Sequence, residues 1–486
     1  MKRAVKPGLL ALVLSTAFLA SCQHAPATQA GAPKRSAPVI SFPDREQRPP
    51  PLSGTAFQLP TIVDRRLSNG IRVLIVQQRD APIVCLRLLV KRGAADVAPG
   101  VAQLAVATFF RRVKSVPGAS AQVWAGYDAL SIQAAAVTRW SQSSNLPDDT
   151  FSALARMLHV VDLPDDAVEA ARRELLERTT DLEHDLDATA ARLAHSLLYP
   201  LQHPYHFDVH GEKPSVASVS RATLEQFFRE HVQPDQLTMV AVGDIAIESF
   251  ISSMKFNFGS WQGNAVPRRA LPEPISAPPS GPAISLLNAP SLGEAAITVG
   301  ARGVAWNSPD FHALVLLNTL LGGSFQSRLN MNLRERMAYA YSPFSTFGIW
   351  RGTGPFLVHG KVDADDTADA ITRIAGELTR VRNEPLSDTE LRELKRAATR
   401  RIPLLFATLA DTVAAVSQLA VHDQPINTYA LLAERIQQVT PEDLQRVARA
   451  YLAPEQLRWI VIAPAKRVKE SLERLPLGAV TQVDSL

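Results

Sequence analysis

The sequence predicts an α+β protein of two homologous domains, each with helices packed on a mostly antiparallel sheet. Three observations carry this. A stretch beginning at Val219 recurs from Val439 without a gap, with Leu224/Leu444, Arg229/Arg449, Pro234/Pro454, Gln236/Gln456 and Leu237/Leu457 identical. Identities at one fixed offset, with matching apolar positions between them, mark a duplicated unit better than two convergent segments. A proline-rich stretch, 266–282, separates two blocks of similar length. Strand and helix patterns are mixed without regular βα alternation, which favours α+β over a parallel α/β sheet.

Taken in order, Lys2, Arg3 and Lys6 precede an apolar run from Gly8 to Ala20. That length suits a secretory leader and is too short to span a bilayer. The run ends Leu19-Ala20-Ser21-Cys22, which looks like the lipobox of bacterial lipoproteins; the alternative is an ordinary leader (1–22) with an incidental cysteine. The resemblance implies lipidation at Cys22, and Gln23 in place of Asp implies the outer membrane, facing the periplasm. Several acyl chains on one residue hold a protein firmly where one does not. Residues 23–58 are rich in Ala, Pro, Gln and Ser and read as an extended tether. In the first domain, 59–265, Ile71 to Gln77 and Ile83 to Val90 read as strands flanking a turn, with Cys85 packed inside the second. Long helical patterns follow, then a helix, a proline turn and an apolar strand, Met239 to Val242. The second domain, 283–475, repeats this with strands at Ile284 to Leu287, Ala295 to Ala301 and Trp459 to Ala463.

Composition narrows the function classes. The 486 residues carry a net charge of +4 from 51 basic and 47 acidic side chains, too balanced for a nucleic-acid binder. Two cysteines, Cys22 and Cys85, supply neither a disulfide framework nor a cysteine zinc site.

Several motifs converge on one family. The first block carries Leu67-Ser68-Asn69-Gly70, Lys91-Arg92-Gly93-Ala94-Ala95-Asp96, Pro99-Gly100, His203-Pro204-Tyr205 and Val242-Gly243-Asp244. The second carries Leu321-Gly322-Gly323-Ser324-Phe325-Gln326-Ser327-Arg328-Leu329, then Leu333-Arg334-Glu335 and Ala340-Tyr341-Ser342. Together these resemble the insulinase/pitrilysin-like zinc metallopeptidases, in particular half-length members similar to mitochondrial processing peptidase subunits. The resemblance implies that the two domains form half of a clamshell around a peptide chamber.

Active members of that family carry H-x-x-E-H on a helix just after the glycine matching Gly100. Histidines at i and i+4 share a helical face and grip one zinc, while the Glu takes a proton from zinc-bound water. Here the matching positions are Gln103, Val106 and Ala107. Val106 accepts no proton, Ala107 has no donor atom, and Gln103 is a poor lone ligand. The helix supplying the third ligand aligns to Arg173 through Arg178, with Glu177 adjacent and the register open by a residue. No family-type zinc site, no catalytic residue and no cofactor is therefore expected in this chain. His203, His206 and His210 invite a metal reading, but His203-Pro204-Tyr205 matches a structural loop motif of the family, and no carboxylate completes a shell.

Arg334 and Tyr341 are retained. The resemblance implies that they face the chamber and hold substrate backbone or a developing oxyanion; a spacing of seven places both on one helical face if the helix runs that far. The alternative is a surface Arg and a packed Tyr. The leading expectation is a non-catalytic, substrate-binding subunit of a periplasmic heterodimeric peptidase acting on peptides. Its partner would be a homologous subunit with intact H-x-x-E-H and the zinc; outer-membrane attachment is through the lipid, and no nucleic acid is involved. The alternatives are a peptide-binding or scaffolding pseudopeptidase without an active partner and, last, a peptidase with a rewired site.

Overall fold

The computed structural model describes residues 57–113, 120–138, 158, 163–263, 265–272, 275, 278–339 and 343–483. Cys22, the leader, most of the tether and Tyr341 lie outside the described residues. Residues 57–486 form one compact unit.

The first sheet contains β1 (Ile62–Arg66), β2 (Arg72–Gln77), β3 (Ile83–Val90), β4 (Ser120–Ala125), β5 (Leu130–Val137) and β6 (Leu237–Gly243). Its helices are α1 (Val101–Val113), α2 (Asp165–Glu183), α3 (Leu186–Leu198), α4 (Lys213–Ser218), α5 (Arg221–His231) and α6 (Ile247–Phe258). The second sheet contains β7 (Ile284–Asn288), β8 (Glu294–Arg302), β9 (Phe344–Phe347), β10 (Pro355–Asp363), β11 (Arg458–Ala463) and β12 (Val480–Val483). Its helices are α7 (Phe311–Leu321), α8 (Thr367–Asn383), α9 (Asp388–Thr399), α10 (Leu409–Val421), α11 (Thr428–Gln438), α12 (Pro441–Tyr451) and α13 (Ala465–Glu473).

Duplication is written into the strand order. The first sheet runs β1-β2-β6-β3-β5-β4 and the second β12-β7-β11-β8-β10-β9. In each, the strand from the repeated helix–proline turn–strand segment pairs parallel to one neighbour (β6 with β2, β11 with β7) and antiparallel to the other. Every other pairing among the five shared strands is antiparallel. Ser220 and Thr440 cap the equivalent helices α5 and α12 through their hydroxyls. The outer strand differs: β1 is antiparallel, whereas β12 is parallel and carries the second sheet past residue 475.

A sheet covered on one face only would leave β6 and β11 half exposed, yet every residue of both is buried. The second face is covered by exchange. α10, from the second half, lays Val413, Val416 and Ala420 on Leu74, Cys85, Leu89, Val240 and Val242 of the first sheet. α3, from the first half, lays Ala190, Leu193, Ala194 and Leu198 on Ala296, Leu357, Ile460 and Ile462 of the second. Cys85 is thus buried packing, and burial pushes its thiol up.

Polar contacts tie the halves as well. Asp96 and Asp128, both buried, face Arg268 of the proline-rich connection and Arg351 of the β9–β10 loop. The Arg351 amide donates to Asp128 at 2.6 Å, and the Tyr205 hydroxyl accepts from the Gly352 amide at 3.0 Å. Trp350 packs among Tyr127, Tyr199, Tyr205 and His195. Among the described residues, no single helix is long and apolar enough to cross a membrane.

Candidate functional site

α1 begins where the chain needs a glycine. Gly100 has φ +84°, and a Cβ there would stand 3.0 Å from the backbone of Ser215 and Val216. One turn on, Gln103 is buried, and its amide nitrogen donates to the Val209 carbonyl, tying α1 to the chain before α4. Val106 belongs to the core of the first half and Ala107 packs against it. On α2, Arg173, Glu174, Glu177 and Arg178 are exposed, and Glu174 pairs with Arg111 of α1 at 3.1 Å. Zinc needs lone pairs converging from several side chains. Val106 and Ala107 have none to give, and Gln103 offers only a single buried amide oxygen while its nitrogen is tied to Val209, so these residues do not fit the metal of active family members. Among the described residues, no three His, Cys, Asp or Glu side chains stand together as a metal cluster.

The histidine loop does structural work. The His203 ring nitrogen Nδ1 accepts from the Tyr205 amide at 3.1 Å, and its ring stacks on Tyr199 at 5.1 Å. His206 Nδ1 meets the Tyr199 carbonyl at 2.8 Å. The Tyr205 side chain is thereby held beside Asp128 and Gly352, where the halves meet.

Arg334 lies on a π-helical segment, Asn330–Arg336, whose Leu333 is buried. Its guanidinium covers the exposed ring of Phe325 at 4.8 Å, and its Nε is 3.4 Å from Glu335. The helix closes at Met337 and Ala338 turns to φ +54°. No continuous helix reaches position 341, so the expected shared helical face for Arg334 and Tyr341 does not exist.

A site that the sequence reading did not pick out lies between α7 and β9. It is a cavity of about 560 Å³ lined on one side by Phe311, Val315 and Thr319, and on another by Phe344, Phe347 and Ile349. The α7 C-terminus closes on β9 through Asn318: its carbonyl accepts from the amides of Gly322 and Gly323, and its side-chain oxygen accepts from Ser345 at 2.7 Å. A Cβ on Gly322 would stand 2.4 Å from the Ser345 amide nitrogen, so only glycine allows this approach. The Leu-Gly-Gly motif was the available signal; its backbone role is visible only in three dimensions. β9 pairs with β10 on one side and is the last strand of its sheet. By strand order α7 and β9 are the counterparts of α1 and β4, so the cavity lies between the second half's equivalents of the first half's helix α1 and strand β4.

Comparison with known proteins agrees with this architecture. A family model described as "Peptidase M16 inactive domain" matches residues 218–398, a range that excludes α1. The uncharacterized zinc protease YmxG of Bacillus subtilis is 24% identical over 269 residues, covering 55% of this chain and 61% of that protein. The probable inactive metalloprotease YmfF of the same organism is 22% identical over 249 residues, covering 50% and 55%. The chain thus matches about three fifths of the length of such curated relatives. In fold, a crystal structure of a peptidase M16 inactive domain from Pseudomonas fluorescens superposes with a TM-score of 0.72 at 20% identity, covering 83% of this chain and 98% of that one. In its family-model match over residues 218–398, its curated relatives and its paired sheets, the chain is similar to the M16-like, insulinase/pitrilysin-like peptidases.

Proposed function

We propose that this chain is the non-catalytic, peptide-binding subunit of a zinc peptidase pair, anchored through Cys22 in the outer membrane and facing the periplasm. The observation that carries this is a contrast between the halves. The zinc-helix positions of the first half are filled by Gln103, Val106 and Ala107, which pack or tie the fold. In the second half, an open, largely apolar cavity lies between the equivalent helix, α7, and β9, the terminal strand of the described sheet. An extended peptide adds to such an edge by main-chain hydrogen bonds and lays alternate side chains into the adjoining pocket. A partner with intact H-x-x-E-H would supply zinc and the water-activating Glu, while Arg334 and Tyr341 would hold the substrate in the shared chamber. A scaffolding role without an active partner uses the same cavity and is the second reading.

The test is a titration of the purified chain with a fluorescent, extended peptide rich in Val, Ile and Phe. Val315→Trp fills the cavity from the half-buried face of α7. It should weaken binding at least tenfold while leaving the melting temperature within a few degrees. Absence of binding to the unaltered chain, or equal binding by the variant, removes the cavity from the function.

A further inference from the structure

One corner of this protein concentrates positive charge. Residues 392–406, Arg-Glu-Leu-Lys-Arg-Ala-Ala-Thr-Arg-Arg-Ile-Pro-Leu-Leu-Phe, contain five cations and one acid, a local excess of +4 that equals the net charge of the whole chain. They form the end of α9 and the 3₁₀ turn Ile402–Phe406, after which α10 departs at 107°. Arg392, Arg396, Arg400 and Arg401 are exposed, and the single acid, Glu393, meets Arg396 at 3.0 Å with both side chains in solvent. Lys395 donates to the Gln437 carbonyl of α11. The charges that α11 carries, Glu434 and Arg435, cancel.

At the apex of this corner stands Leu404, 61% exposed and not part of the cavity lining. Beside it Phe57, 49% exposed, packs its ring on Phe406 at 6.3 Å. Phe57 is also where the chain enters the compact unit, so any anchor at Cys22 is connected to the fold through this corner. A protruding aliphatic that follows exposed arginines in the chain, with an exposed aromatic packed on the same turn, matches the chemistry of a bilayer surface: the apolar tip enters the acyl boundary, and the guanidiniums meet lipid phosphates.

We propose that the corner formed by Arg392, Arg396, Arg400, Leu404 and Phe57 is a docking surface for an anionic phospholipid bilayer. It sets the orientation of the folded unit on the membrane, as a second, weak contact besides any covalent lipid. Two contacts on one surface act cooperatively because the first raises the effective concentration of the second. The inference is independent of the peptide reading and does not require that Cys22 be acylated.

The experiment removes the lipid and keeps the rest. The mature chain with Cys22→Ser is mixed with phosphatidylcholine vesicles containing roughly one third phosphatidylglycerol and, separately, with phosphatidylcholine alone, and the bound fraction is read by co-sedimentation. The chain should bind the anionic vesicles at least about tenfold more tightly and be released by high salt, since surface attraction is screened beyond about 10 Å at 0.1 M. Each cation near the surface contributes roughly fivefold, so Arg396→Gln with Arg400→Gln should weaken binding by about tenfold or more. Leu404→Asp should weaken it too, whereas Phe256→Asp, at an 85% exposed apolar position on α6, should not. Equal affinity for both vesicle types, no binding at all, or an equal loss with Phe256→Asp overturns the proposal. So does a result in which the corner variants bind vesicles normally but shed a protein that co-purifies with the unaltered chain; that makes the corner a protein interface.

Discussion

Arg334 is held where a free surface arginine would not be. Its guanidinium lies over Phe325 and against Glu335, on a π-helical segment anchored by buried Leu333. π-turns of this kind recur at functional positions because they displace one side chain from the regular helical pattern. A guanidinium offers fixed donors to a carbonyl, and a phenol donates a hydrogen bond to an oxyanion. In an assembled pair, Arg334→Ala and, separately, Tyr341→Phe should leave gel-filtration behaviour unchanged and lower kcat/KM on a flexible peptide at least about tenfold, since losing one preorganised donor typically costs about 10²–10³ in rate. Unchanged kinetics in both variants would make the two residues structural. How they are arranged was not readable from their spacing. Seven residues suggested two turns of one helix, but the chain leaves the helix at Met337 and Ala338 adopts a left-handed backbone that no residue pattern announced.

Elements show the same division between local and non-local information. The repeated helix–proline turn–strand units were legible because capping, proline and apolar periodicity are local, and they become α5–β6 and α12–β11 in equivalent places of two sheets. The exchange of α3 and α10 was not legible. Apolar runs at Met239–Val242 and Trp459–Ala463 announce a second covered face, but not which helix covers it. α10 ends at His422, whose ring stacks on Trp306 at 5.4 Å, with Arg268, Lys91 and Asp423 as its charged neighbours. Burial first, then Arg268 and Lys91 against the opposing pull of Asp423, bring its pKa down to about 4. A base with a depressed pKa stays neutral in the folded state while the unfolded chain protonates near 6.5, so its contribution is present above pH 6.5 and is lost as pH falls toward 4. His422→Phe keeps a ring on Trp306 and removes the titration. Its melting temperature should therefore fall less steeply than that of the unaltered chain between pH 6.5 and 4, with parallel curves above pH 7. Parallel curves throughout would place His422 in solvent and detach the end of α10 from this site.

At the scale of the whole molecule, exchange and clamp make two repeated halves into one compact unit. Each sheet is completed by a helix from the other half, and Asp96, Asp128, Arg268 and Arg351 close the seam. Duplication has left the halves different around their equivalent helices: α1 in the first carries the packed, donor-poor Gln103, Val106 and Ala107, whereas in the second an open apolar cavity lies between α7 and β9. That difference is the core of the account, in which this chain binds and a partner cleaves. The most direct measurement is affinity purification of the chain from native envelopes, with mass spectrometry, zinc analysis and a peptidase assay on the same eluate. The account predicts a co-eluting homologue that carries intact H-x-x-E-H, zinc in proportion to that homologue, and chelator-sensitive activity that disappears when the partner is stripped away. Stoichiometric zinc and chelator-sensitive peptidase activity in the isolated chain would contradict it.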